Sequence, residues 1–96
     1  MNFDPFDLVG TWKLTSENSE ELLSFKPNGT YRIYYEVPFR LIELGEWIIN
    51  RDRLEMMCCN ARVSCKINHL SPYQLEFIHL SESEAIIKDH YIRINN

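Results

Sequence analysis

The chain has 96 residues, of which 45% are hydrophobic and 25% are charged, and its formal net charge is −4 at pH 7. A chain of this length and composition folds around one hydrophobic core, so we expect a single domain over residues 1–96. The ten basic residues are scattered among fourteen acidic ones. Because a nucleic-acid-binding surface needs clustered Lys and Arg, nucleic acid is not an expected partner.

The sequence shows neither a membrane span nor a secretion signal. Its longest apolar run, residues 56–59, is far shorter than the roughly 20 residues that a membrane helix needs. Residues 1–7 lack the basic and apolar regions of a signal peptide. Three cysteines, two of them adjacent, are a poor framework for disulfides. We therefore expect a cytoplasmic protein that does not bind a membrane.

Turn signals recur about every ten residues and helical periodicity never persists, which is typical of an all-β fold. In the first predicted strand, Gly10, Trp12 and Leu14 share one face. The eight predicted strands cover residues 8–14, 22–26, 30–37, 41–49, 54–59, 62–70, 73–80 and 85–94.

Several residues mark the connections between these strands. Asn28-Gly29 predicts a hairpin with a type I′ turn, since both residue types tolerate the positive φ that this turn needs. Pro38 ends the third strand because proline cannot donate to the strand ladder. Gly45 predicts a bulge or sharp bend within the fourth strand. Eight strands in sequence predict an antiparallel up-and-down meander, which escapes its unpaired edges by closing into a barrel.

The motifs Gly10-Thr11-Trp12 and Gly45-Glu46-Trp47, with the hairpin at Asn28-Gly29 between them, resemble the small bacterial lipocalin-like domains of the calycin group. The resemblance implies a small lipocalin-like barrel and a non-catalytic binding protein. It also implies that Trp12 packs across the barrel floor, and that the open end holds a small apolar ligand. No cofactor is expected.

Strand alternation predicts which side chains occupy the interior. A barrel of eight strands is just wide enough to be filled by its own side chains or to hold one small ligand, and both alternatives remain open. The predicted interior comprises Trp12, Leu14, Leu23, Phe25, Tyr31, Ile33, Tyr35, Trp47, Ile49, Leu54, Met56, Val63, Cys65, Ile67, Leu75, Phe77 and Ile92. The candidate ligand-binding residues among them are Tyr31, Ile33, Tyr35, Trp47, Met56 and Phe77.

The cysteines and histidines give no strong signal for metal binding or catalysis. Pairing the sixth and seventh predicted strands brings Cys65 near His79, and pairing the next two places His90 opposite Leu75. No metal-binding spacing such as Cys-x-x-Cys is present, so no metal site is predicted. A catalytic Cys–His pair also needs a group that orients the histidine, and the sequence identifies none. Cys58 and Cys65 are interpreted as small buried hydrophobic residues.

The acidic residues do not indicate an enzyme either. Glu43 and Glu46 are predicted to face solvent near turns, where carboxylates are simply hydrated. General acid–base catalysis in a pocket would need carboxylates on the inner face of neighbouring strands, and no such pair is predicted.

The outer face of the predicted barrel carries an unexpected apolar stripe. A half-solvated sheet alternates apolar and polar residues, so apolar side chains pointing outward suggest a covered surface. Cys59 and Ala85 belong to this stripe, and its predicted interface residues are Met57, Ile78, Leu80 and Ile87. The alternative function is therefore a protein-interaction module with a filled barrel, such as an inhibitor, an immunity-type protein or a homodimer.

Overall fold

The eight predicted strands form a closed barrel. The structure is a computed structural model that describes residues 3–15, 20–80 and 86–95. Neighbouring strands pair antiparallel in chain order, and the first and last strands pair with each other, which confirms the all-β closed meander. The elements are α1 (Pro5–Leu8), β1 (Gly10–Leu14), β2 (Leu22–Phe25), β3 (Thr30–Glu36), β4 (Phe39–Asn50), β5 (Arg53–Cys58), β6 (Ala61–Leu70), β7 (Gln74–Leu80) and β8 (Ile86–Asn95).

A single turn of helix, α1, precedes the barrel where the sequence predicted the start of a strand. The Asp4 side chain accepts a hydrogen bond from the Phe6 backbone N–H at 2.9 Å, and Pro5 occupies the first turn. Both features favour the start of a helix. Leu8 ends α1 and is fully buried against the barrel core, so its assignment to the first strand was wrong. Nowhere in the described ranges is a helix long and apolar enough to cross a membrane.

Trp12 and Arg93 close the end of the barrel beneath α1. Trp12 is fully buried, and its indole N–H donates to the Leu8 carbonyl at 2.9 Å. The Arg93 guanidinium lies 4.2 Å from the Trp12 ring centroid, a cation–π distance. It also donates to the backbone carbonyls of Asp7 and Val9, each at 2.6 Å. The Arg93 side chain of β8 therefore holds α1 and the start of β1 in place. The sequence pattern had not indicated this role.

The hairpin predicted at Asn28-Gly29 forms, but its turn is not type I′. Gly29 has a φ of +87°, whereas Asn28 is not among the described residues with positive φ. The Gly29 N–H donates to the Lys26 carbonyl at 3.1 Å, and the Asn28 side chain accepts from the Thr30 N–H at the same distance. Two successive residues with positive φ occur instead at Cys59 and Asn60, between β5 and β6.

Gly45 does not form the predicted bulge; it allows neighbouring groups to pack closely against the backbone. It pairs with Tyr31 in regular register, and the irregularity in β4 lies at Ile42, which has no partner in β3. A Cβ atom on Gly45 would lie 2.8 Å from the Tyr31 ring and closer still to the Met57 carbonyl oxygen. Glycine is therefore required because no side chain fits between these two groups.

The interior matches the alternation pattern except at two positions. The predicted residues Ile33, Tyr35, Ile49 and Met56 are half-buried, whereas Val63 and Ile92 are 53% and 39% exposed. The buried cluster comprises Leu8, Trp12, Leu14, Leu23, Phe25, Tyr31, Trp47, Leu54, Cys65, Ile67, Leu75, Phe77 and Tyr91.

The exposure of Ile92 has a simple cause in the pairing of β7 with β8. Leu75 pairs with Tyr91 and not with His90, so the register differs by one residue from the predicted one. A slip of one residue exchanges the two faces of a strand. Tyr91 therefore points inward and Ile92 outward. Val63 has a different cause, since it lies near the start of β6 at the rim of the open end.

We predict that Arg93→Met destabilises the fold by about 2–4 kcal/mol, because it removes the cation–π contact and the charged donors while keeping an apolar stem. The control is Arg62→Met, which removes an exposed arginine whose ion pair with Glu55 is long, at 3.9 Å. The control should cost about 0.5 kcal/mol or less. Urea unfolding followed by circular dichroism measures both, and equal losses would contradict the role given to Arg93.

Candidate functional site

A cavity of about 250 Å³ lies at the end of the barrel opposite α1. Its walls come from β2 to β8, at the end of the barrel where β3, β5 and β7 finish and β4, β6 and β8 begin. The lining residues are Leu23, Ile33, Glu43, Met56, Val63, Cys65, Phe77, His79, Asp89 and Tyr91. The interior is thus filled at the floor and hollow at the opposite end, which combines the two alternatives left open by the sequence.

Three of the six candidate ligand-binding residues, Ile33, Met56 and Phe77, line this cavity. Trp47 does not, because it belongs to the filled part of the core. Its indole N–H donates to the Lys26 carbonyl at 3.1 Å, and its ring meets that of Phe25 edge-on.

The two tyrosines among the candidates lie outside the lining. Tyr35 pairs with Arg40 on the part of the β3–β4 ladder beyond the cavity. Tyr31 is fully buried next to the cavity, and its hydroxyl donates a hydrogen bond of 2.5 Å to Glu43, which does line it. Burial and the neighbouring Glu43 raise the pKa of Tyr31 well above its usual range. The hydroxyl therefore stays protonated and acts as the donor to the carboxylate.

Glu43 lies inside the barrel, and the prediction that it faces solvent was wrong. Strand alternation continues without interruption from Trp47 through Gly45 to Glu43, because the bulge lies beyond them at Ile42. Glu43 consequently pairs with Ile33 on the inner face. Glu46 is exposed on the outer face, as predicted.

A second polar group in the cavity is formed by His79 and Asp89. The His79 Nε2 lies 3.2 Å from Asp89 Oδ2, and only 29% and 28% of the two side chains are exposed. The register of β7 with β8 brings them to the same inner face. Asp89 was missed because its position depends on this register, and the connecting residues 81–85 carry no turn motif that determines it.

The other two histidines do not join this group. The His90 ring contacts the Thr15 hydroxyl at 2.9 Å on the outside of the barrel, and His69 is exposed. In the part of the chain that the structure describes, no three His, Cys, Asp or Glu side chains are grouped so that they could hold a metal ion.

Cys65, His79 and Asp89 line the same cavity, which raises the question of a nucleophilic site. Asp89 is an orienting group for His79 that the sequence did not reveal. However, the Cys65 thiol is directed at the Leu54 carbonyl, with 3.8 Å between the sulfur and the oxygen. Burial, assisted by the charge of Asp89, raises the pKa of Cys65 to about 11. Because the thiolate is the nucleophile, this arrangement disfavours covalent catalysis.

Cys58 and Cys59 lie where β5 ends, at the rim of the barrel. Cys58 is half-buried and Cys59 exposed, and both are free thiols with 3.2 Å between their sulfur atoms. Cys58 is therefore less buried than its interpretation as a small buried hydrophobic residue implied, whereas Cys65 is buried.

Among the described residues of the predicted apolar stripe, one lies on the other face of the sheet. Met57 and Ile78 are half-buried, but Ile87 pairs with His79 and shares the inner face. The side chain of Leu80 and all of Ala85 lie outside the described residues. The shifted register of β8 again explains the difference. The exposed apolar residues on the outer face of β4 are Phe39, Leu41, Leu44 and Ile48.

Comparisons with known proteins bear on the fold alone. No protein-family model and no curated protein matches the chain. Its structure is similar to the crystal structure of a lipocalin-like protein from Bacteroides uniformis, with a TM-score of 0.73. The match covers 92% of this chain and 99% of that one, at 14% sequence identity. The barrel therefore has a lipocalin-like fold, in agreement with the resemblance seen in the sequence.

We predict that Cys65 resists alkylation in the folded protein. A pKa of about 11 instead of 9.0 makes the thiolate fraction at about pH 8 roughly 100-fold smaller, and burial restricts access further. Treatment with iodoacetamide followed by peptide mass mapping should modify the exposed Cys59 first. Cys65 should react only after unfolding or as the pH approaches its pKa. Equal modification rates for Cys59 and Cys65 in the folded protein would disagree with this assignment.

Proposed function

We propose that the protein is a non-catalytic binding protein that holds a small, mainly apolar molecule at the open end of its barrel. The cavity of about 250 Å³ carries this proposal. An apolar cavity of about 150 Å³ is enough to bind benzene, whereas drug-sized ligands use pockets of roughly 300 Å³ or more. The fitting ligand is thus the size of one aromatic ring with a short side chain.

The walls of the cavity favour such a ligand. Ile33, Met56 and Phe77 supply apolar surface from three different strands, and burying apolar ligand surface is favourable by about 25 cal/mol per Å². The hydrogen-bonded ladders on both sides of each strand hold these walls in place before a ligand arrives. A preformed site loses little affinity to ordering of the protein. The raised pKa of Cys65 supports a binding role over a catalytic one.

We predict that closing the rim abolishes binding. Val63 is 53% exposed at the cavity mouth, so Val63→Trp should fold normally and occupy the entrance. The neighbouring Ser64, which is exposed, provides the control Ser64→Trp on the same strand. Calorimetric titration with phenethyl alcohol, a neutral probe of suitable size, should show binding to the wild type and the control but not to Val63→Trp.

Native mass spectrometry of freshly purified protein complements this titration, because it detects a small molecule retained from the cell. A retained molecule that is lost in Val63→Trp supports the proposal. The proposal is overturned if no molecule is retained and no small aromatic probe binds, or if binding is unchanged in Val63→Trp.

A second candidate function, protein interaction, has one specific observation in its favour. The outer face of β4 exposes Phe39, Leu41, Leu44 and Ile48 by 62%, 47%, 60% and 49%. Several exposed apolar side chains on one outer sheet face are typical of an interaction surface. In this alternative, two copies of the chain associate through β4.

We predict for this alternative that Leu44→Glu weakens self-association, since it places a charge in the centre of the β4 face. Ile92→Glu is the control, because Ile92 is an exposed apolar residue on the outer face of β8. Sedimentation velocity at micromolar to millimolar concentration measures the effect. A wild-type protein that stays monomeric throughout this range would rule out the homodimer.

A further inference from the structure

We propose that the cavity selects a ligand with a cationic amine head on a small apolar body. This inference rests on the proposed binding function and names the chemical class of its ligand. It is carried by the side chains that interrupt the apolar wall, namely Glu43, Asp89 and His79.

The first acceptor is Glu43, which its neighbours hold in position. The Tyr31 hydroxyl binds Oε2 from the buried side, and Tyr31 itself is fixed because it is fully buried next to Gly45. The other oxygen, Oε1, receives no hydrogen bond from the residues that the structure describes. A carboxylate accepts several hydrogen bonds, so Oε1 is available to a donor in the cavity.

The second acceptor is Asp89. His79 contacts its Oδ2 at 3.2 Å, while Oδ1 accepts nothing from the described part of the chain. The contact with the imidazole orients this carboxylate. Glu43 and Asp89 thus each offer an oriented, partly buried oxygen to a donor, one from β4 and the other from β8.

The charge balance of the cavity favours a cation over an anion or a neutral head. The residues known to line it include two carboxylates but no Lys or Arg. Arg40 pairs with Tyr35, is exposed, and is not among the residues that line the cavity. Hydrogen bonds from an ammonium group to a carboxylate are about twice as strong as those between neutral groups. The same wall repels a ligand carboxylate.

Three probes with one phenyl ring and a short side chain test this inference: phenethylamine, phenethyl alcohol and hydrocinnamate. They differ chiefly in head charge, which is positive, neutral and negative. Calorimetric titration at about pH 8, where the amine is cationic and the carboxylic acid is ionised, compares their affinities. Phenethylamine should bind roughly tenfold more tightly than phenethyl alcohol, and hydrocinnamate should bind most weakly.

Matched variants locate the effect. Glu43→Gln and Asp89→Asn keep the shape of each side chain and an oxygen for its existing contact, so both should fold. Each substitution should weaken the affinity for phenethylamine roughly tenfold while changing the affinity for phenethyl alcohol by less than about threefold. The control Glu46→Gln removes the same charge from the outer face of β4 and should leave both affinities unchanged.

The outcomes separate this inference from the proposed function. If phenethyl alcohol binds and Val63→Trp abolishes that binding, but the amine binds no more tightly, the inference is overturned and the proposed function stands. The inference is also overturned if Glu46→Gln weakens the affinity for phenethylamine as much as Glu43→Gln does. If no probe binds and no molecule is retained on purification, the proposed function and this inference are overturned together.

Discussion

The structure depends on the pairing of β1 with β8, which converts a meander into a closed barrel. Arg93 secures this closure, since its guanidinium stacks on Trp12 and binds the backbone carbonyls of α1 and its C-terminal neighbour. Leu8, the last residue of α1, is fully buried and accepts a hydrogen bond from the Trp12 indole. Closure satisfies the strand edges and gives every strand a defined inner face. All assignments of residues to the inside or the outside follow from it.

The two ends of the barrel differ because they are filled differently. Large side chains such as Trp12, Phe25 and Trp47 pack the end near α1, whereas at the opposite end the side chains leave a cavity between them. A hollow end of this size is costly for a protein to maintain unless it is used, since unfilled volume forgoes packing interactions. Glu43 and Asp89 line that hollow, and placing charged groups inside a barrel is also costly unless a partner compensates for the lost hydration. Their position therefore also favours a ligand.

The strand order and most of the interior could be predicted because they depend on local signals: turn residues, and alternation within each strand. The features that were wrong depend on register. No turn motif fixes the pairing of β8, so Ile92 was predicted to lie inside in place of Tyr91, and Asp89 was missed. The bulge was assigned to Gly45, whereas it lies at Ile42. Arg93 escaped notice because its partners are backbone carbonyls, which a sequence pattern does not display.

The central claim is that ligand binds at the end of the barrel opposite α1. Heteronuclear NMR during titration with phenethylamine tests it most directly, because it reports each position separately. The backbone signals of Ile33, Phe77 and Asp89 should shift, while the indole signals of Trp12 and Trp47, in the filled part of the core, stay in place. Shifts confined to those indoles or to the outer face of β4 would contradict the account.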